Sequence, residues 1–156
     1  KYLEDIGCVE YPENVYGRPE DSRVSKYKKF QEKTGVWKVD TWNLNSTAMM
    51  WIYERLIQYK EDFCIDLNYH VFDFEGKDWT QGELIDEMIE IAEYCLWEPD
   101  NLSKRSKAYK RLSENKYYKE LGKFDTWSSR EIYKKQTDIE QRFWKIWAEL
   151  YPAMWW

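Results

Sequence analysis

The segment TQGELIDEMIEIAEYCLWEP, residues 80–99, constrains this chain more than any other. Leu84, Ile85, Met88, Ile89, Ala92, Cys95 and Leu96 recur with the helical period and form a broad apolar face. Glu83, Asp86, Glu87, Glu90 and Glu93 crowd the other side. Thr80 and Glu83 have the spacing of a capping box, and Trp79 and Leu84 that of a hydrophobic staple. Pro99 closes the segment. A helix over about 80–96 with so wide an apolar face needs other elements packed against it.

Four more helices are expected. One runs from about Asp21 to Thr34, with Val24, Tyr27 and Phe30 as a narrow stripe and Gly35 after its end. A second, about Asn45–Asp62, aligns Ala48, Ile52, Leu56, Tyr59 and Phe63, with Asn45 as cap and Leu44 and Met49 as staple. A weakly amphipathic helix over about Asn101–Leu121 stops at Gly122. The last, about Ser129–Tyr151, places Ile132, Gln136, Ile139, Phe143, Ile146, Trp147 and Leu150 on one stripe, behind a capping box at Ser128 and Glu131. Between them Ile65, Leu67, Tyr69 and Val71 alternate with Asp66, Asn68 and His70, the period of a half-buried strand. The stretch around Val9, Tyr11 and Val15 is the candidate partner strand. The expected fold is therefore mainly α: a single-domain bundle of about five helices with a short two-stranded β element. Residues 1–19 form an extended N-terminal segment. The helical body covers 20–156, with an inserted segment at about 62–78. Lys-x-Asp-Thr-Trp occurs twice, at 38–42 and 123–127, but at different offsets from the following helix, which argues against duplication.

The chemistry on offer is narrow. His70 is the lone histidine, so zinc sites and histidine-based triads lack their ordinary members. The six glycines are scattered and make no phosphate loop. Cys8, Cys64 and Cys95 are odd in number and widely spaced, which reads as reduced thiols of a cytosolic protein. No apolar run reaches membrane-spanning length, and the acidic start KYLEDIGCVEYPEN is unlike a signal peptide. No cofactor is expected.

Charge is unevenly spread over a net −5. Between Glu61 and Asp100 thirteen acidic residues face only Lys77; between Asn101 and Lys123 eight basic residues face only Glu114 and Glu120. These blocks either pair with each other or give the molecule two poles. The basic block with Tyr109, Tyr117 and Tyr118 is a weak candidate for direct nucleic-acid contact, because the chain is acidic overall.

Three blocks resemble a large group of small proteins from tailed bacteriophages and prophages. DTWNLNSTAMMWIYERLIQYKE (40–61) is similar to their Asp-x-Trp-x-Leu-Asp opening and the helix after it. DWTQGELIDEMIEIAEYC (78–95) resembles their next helix, and FWKIWAELYPAMWW (143–156) their Leu-Trp-Trp-like ending. Here Glu54-Arg55-Leu56 replaces the group's Pro-Arg-Leu, and the longer DFCIDLNYHVFDFEGK replaces its Gly-Tyr-Pro turn. The resemblance implies a viral origin, a role in the cytoplasm of an infected bacterium, and no catalytic residues. It also carries over Arg55 and Asp86, which are expected to pair across two helices.

The functional expectation is a non-enzymatic inhibitor of a host protein, a nucleic-acid-binding nuclease or effector complex of the CRISPR kind. Asp66, Asp73, Glu75, Asp78, Glu83, Glu87 and Glu90 would mimic a nucleic-acid backbone and dock in its basic groove. Two alternatives stay open. One is a binder of a nucleotide signal, using Trp and Tyr rings with Arg55. The other is a metal-dependent phosphoryl-transfer enzyme using Glu83, Glu87 and Glu90.

Overall fold

The computed structural model describes residues 44–62, 69–97, 99–123 and 129–154, together with Lys29 and Lys33. Within them the chain is mainly α with one short antiparallel hairpin. The elements are α1 (Leu44–Asp62), β1 (Val71–Phe74), β2 (Lys77–Thr80), α2 (Gln81–Leu96), α3 (Lys107–Glu114), α4 (Lys116–Leu121) and α5 (Arg130–Leu150), with short 3-10 turns at Pro99–Asn101 and Tyr151–Ala153. Lys29 and Lys33 are helical and exposed. The rest of the helix expected over 21–34 lies outside the described residues, as do the 1–19 segment and both Asp-Thr-Trp copies.

α2 is the central element, as its sequence requires. Leu84, Ile85, Met88, Ile91 and Ala92 are wholly buried. α1 covers them with Met49, Ile52, Tyr53 and Leu56, and α5 with Phe143, Ile146 and Leu150. The buried face of α1 is thus turned slightly from the expected one: Met49 and Tyr53 go inward, while Trp51 is exposed. Phe74 from the hairpin and Ala108 and Leu112 from α3 complete the cluster. Burying one Leu or Phe side chain is worth roughly 1.5–3 kcal/mol, so these facing stripes hold the helices together.

Local signals explain the element ends. The Thr80–Glu83 capping box forms in full. Gly122 takes φ +65° after α4, which a side chain would resist. At α5 the cap is Ser129, whose side chain accepts from the Ile132 N–H at 3.3 Å, rather than Ser128 one residue earlier. α1 already begins at Leu44, so Asn45 lies within the helix, and exposed Leu44 cannot staple buried Met49.

Two expectations are corrected. The single helix over 101–121 is split at Asn115, which is buried and non-helical (φ −59°, ψ 129°). Its Oδ1 accepts from the N–H groups of Tyr117 (3.0 Å) and Tyr118 (3.2 Å), and its Nδ2 donates to the Glu90 carbonyl at 2.7 Å. The side chain offers the backbone an alternative to continuing the helix. The β element starts at Val71 and pairs with the next segment, while the N-terminal partner expected around Val9, Tyr11 and Val15 lies outside the described residues: Val71 pairs with Thr80, Phe72 with Trp79, Asp73 with Asp78 and Phe74 with Lys77. Glu75 (φ +54°) and Gly76 (φ +73°) make the connecting two-residue turn. Positive φ at both positions is the type I′ pattern that suits the strand twist. Residues 63–68 of the expected strand, Asp66 included, are outside the described residues.

Candidate partner-binding surface

The acids of α2 are engaged by neighbours, although Glu83 and Asp86 remain exposed. Lys60 from α1 pairs with Asp86. Arg111 from α3 pairs with Glu93. Lys116, at the start of α4, binds Glu87 and lies 3.4 Å from Glu90, and its backbone N–H donates to Glu90 at 2.8 Å. Glu83 is held by the Thr80 N–H at 2.8 Å, and these Thr80 hydrogen bonds lower its pKa. Arg111 and Lys116 therefore tie the basic block of the sequence to the acidic one.

Glu87 is the clearest correction. Its spacing with Glu83 and Glu90 suggests one solvent-facing line, yet its side chain is only 5% exposed. Lys116 and Tyr117 donate to it, and Arg142 Nε reaches Oε1 at 3.1 Å. Burial alone would raise its pKa; the bonds from Lys116 and Tyr117, the Lys116 charge and Arg142 together hold it below the ordinary carboxylate range. Burial and the Glu87 contact in turn push Tyr117 well up. Arg142 also pairs with Glu75, and its guanidinium lies 5.1 Å from the Phe74 ring centre and 5.7 Å from that of Trp79. One arginine on α5 thus locks the underside of the hairpin to α2. Its partners lie 55 and 67 residues away in sequence. The available signal was its place beside Phe143, at the edge of the apolar stripe.

The expected Arg55–Asp86 pair does not form. Arg55 stacks on the Trp51 ring at 3.6 Å and donates to the Trp51 carbonyl at 2.9 Å, while Lys60, one turn further along, takes Asp86. α1 and α2 are still tied by one ion pair, but through a different cation. Arg55 is thus occupied by its own helix, stacked on Trp51. One pocket, about 260 Å³, lies between α1, α2 and α5, where Gln136 donates to the Tyr94 hydroxyl at 2.8 Å. Cys95 lines it, its thiol pushed up to about 12 by burial and the Glu140 charge, the unreactive end of thiol behaviour. Among the described residues no three His, Cys, Asp or Glu side chains gather to hold a metal ion. Glu83, Glu87 and Glu90 are each engaged elsewhere. No described helix is long and apolar enough to cross a membrane.

The hairpin differs. Successive side chains on a strand point to opposite faces. Phe72, Phe74 and Trp79 turn toward the core, and Val71, Asp73, Asp78 and Thr80 turn outward. Asp73 and Asp78 are direct cross-strand partners, both exposed, and no described residue pairs with either. Like charges in that position repel. Beside them Tyr69 is 80% exposed and Val71 60%. Of the seven acids expected to meet a partner, Asp73 and Asp78 lie together on open surface. Glu75 is exposed but paired, Glu83 and Glu90 are engaged at the edge of α2, and Glu87 is internal. No family model matches the chain, and no curated protein or solved structure matches it.

Proposed function

We propose that this is a phage-encoded, non-enzymatic protein that disables a host defence machine by docking the outer face of its hairpin against a basic groove. The reading rests on one observation above all: Asp73 and Asp78 face each other across the hairpin, exposed and with no cation paired to either among the described residues. A fold that directs Lys60, Arg111, Lys116 and Arg142 to the acids of α2 and the hairpin turn leaves these two opposed, and a Lys or Arg from a partner relieves the repulsion. Tyr69 and Val71 supply apolar contact next to the charges, and exposed aromatics of this kind commonly anchor interfaces. The β1 strand belongs to the segment that departs from the resembled phage proteins, which suits a function particular to this chain.

The acidic mimic is smaller than the sequence suggests: two hairpin carboxylates rather than a whole helix face. The test is capture from bacterial lysate on immobilised protein, with rising salt, followed by identification of the bound species. A nucleic-acid-binding nuclease or effector is expected, released by salt and lost with Asp73→Lys or Asp78→Lys, while Asp86→Asn retains it. Capture that ignores salt and both hairpin variants sinks the proposal.

A further inference from the structure

The core-facing stripe of α5 changes character along its length. Phe143, Ile146 and Leu150 are wholly buried, but nearer the start of the helix the stripe carries Gln136 and Glu140. With Tyr133 and Thr137 these two follow the i, i+3, i+4, i+7 spacing of one helix face. All four line the pocket of about 260 Å³ between α1, α2 and α5. Ser46 and buried Met49 close it from α1, and Tyr94 and Cys95 from α2.

Glu140 stands apart from the other acids. Every other described carboxylate withdrawn from full exposure has a cation: Glu54 has Arg55, Glu87 and Glu90 share Lys116, and Glu93 has Arg111. Glu140 is half-buried, yet no described residue pairs or hydrogen-bonds with its carboxylate. Lys123 lines the same pocket, but its ammonium is turned to the carbonyls of Tyr94 and Cys95. Gln136 also has spare capacity. The single Tyr94 hydroxyl proton goes to the Gly122 carbonyl at 3.1 Å, so Gln136 is the donor in its 2.8 Å bond to that hydroxyl. Its Oε1 is left as an acceptor with no partner among the described residues.

The pocket is therefore rich in unused acceptors, while the formal charges of Glu140 and Lys123 cancel. That combination suits a neutral ligand with adjacent N–H donors. Guanine alone among the common bases sets a ring N–H beside an amino group, a pair that one carboxylate accepts together. The volume falls below the roughly 300–1,000 Å³ of ordinary ligand pockets, which suits one base rather than a whole nucleotide. We propose that this pocket binds a guanine base, with Glu140 accepting from N1–H and the 2-amino group. Ser46 carries a hydroxyl able to donate to O6, and Met49 gives an apolar wall. Tyr133, 56% exposed, adds an aromatic ring of the kind on which bases stack. Tyr94 and Cys95 belong to the last turn of α2, at the opposite end from the hairpin, so base binding and hairpin docking are separable.

Calorimetric titration of the full chain with guanosine is the test, and one saturable site is expected. Inosine, which lacks the 2-amino group, should bind about tenfold or more weakly, the scale of one charge-assisted hydrogen bond. Adenosine should give no saturable heat. Glu140→Gln should weaken guanosine binding about tenfold or more, while Glu149→Gln, exposed on the same helix, leaves it unchanged. Guanosine 5′-monophosphate against a single-stranded pentamer with one guanine shows by relative affinity whether a free nucleotide or a nucleic acid is the source. Should Glu140→Gln fail to fold, the inosine and adenosine titrations of the wild-type protein decide. Absence of a saturable guanosine site overturns the proposal. So does equal affinity for the three nucleosides, or a folded Glu140→Gln protein with wild-type affinity.

Discussion

On α2 the carboxylates are answered from within the fold; on the hairpin they oppose each other. Glu87 gathers Lys116, Tyr117 and Arg142 from two helices far along the chain. Asp73 faces Asp78, and no described residue pairs with either. Both regions belong to the same acidic stretch of sequence, so density of charge does not distinguish them. What distinguishes them is whether the fold brings cations to the acids. The same lesson holds inside α2. The Glu87 and Glu93 side chains are each 5% exposed and six positions apart. Burial dominates at Glu93, where one guanidinium and one hydroxyl share a single oxygen, and its pKa rises to about 7. More donors reach Glu87, and its pKa falls.

The sharpest way to break the comparison is Glu87→Gln. It removes the carboxylate that two cations and a phenol share, and should cost about 3 kcal/mol, the low end for a broken buried pair. A urea midpoint equal to that of wild type would place Glu87 with the idle acids. The next effect is on the order of 2–3 kcal/mol and depends on pH. Glu93 titrates near 7 when folded and near 4.5 in the unfolded chain. Between those values the folded state holds a proton that the unfolded state has lost, so stability falls as pH rises from about 4.5 to about 7. Glu87 acts in the opposite sense: its contribution is present above the ordinary carboxylate range and is lost as pH falls through its lowered value. Unfolding of wild type and Glu93→Gln across pH 4.5–8 separates them, because only the Gln protein should lose the decline toward neutrality. Identical slopes would assign it to another group. The smallest effect has the opposite sign. Asp78→Asn should stabilise the protein by about 0.5 kcal/mol, since it ends a like-charge pair. A loss of thermal stability instead would mean that the hairpin acids have an internal partner.

Much of the helical frame was legible because its signals are local. The Thr80–Glu83 box, the apolar period of α2 and the Gly122 stop each act within a few residues. The break at Asn115 was not, because an asparagine inside a basic, weakly apolar run ends a helix only when its amide finds outside partners, here the Glu90 carbonyl. The hairpin hid behind Glu75, an uncommon residue for a turn position with positive φ. The acids of the candidate surface were all named, but sorting them needed Lys60, Lys116 and Arg142, each 26 to 55 residues from the acid it serves on α2. No spacing rule in one sequence encodes those distances. The Arg55–Asp86 expectation chose the right pair of helices and the wrong cation, because Arg55 is captured by Trp51 one turn away.

Thr80 is at once the last residue of β2 and the cap of α2. The hairpin and the central helix therefore meet with no linker, and a hinge has nowhere to form. A torque applied at the Asp73–Asp78 face passes straight into a lever about 24 Å long, buried along most of its length. A partner that grips the tip meets a stiff handle: tilting it means shifting the whole core or snapping the cap.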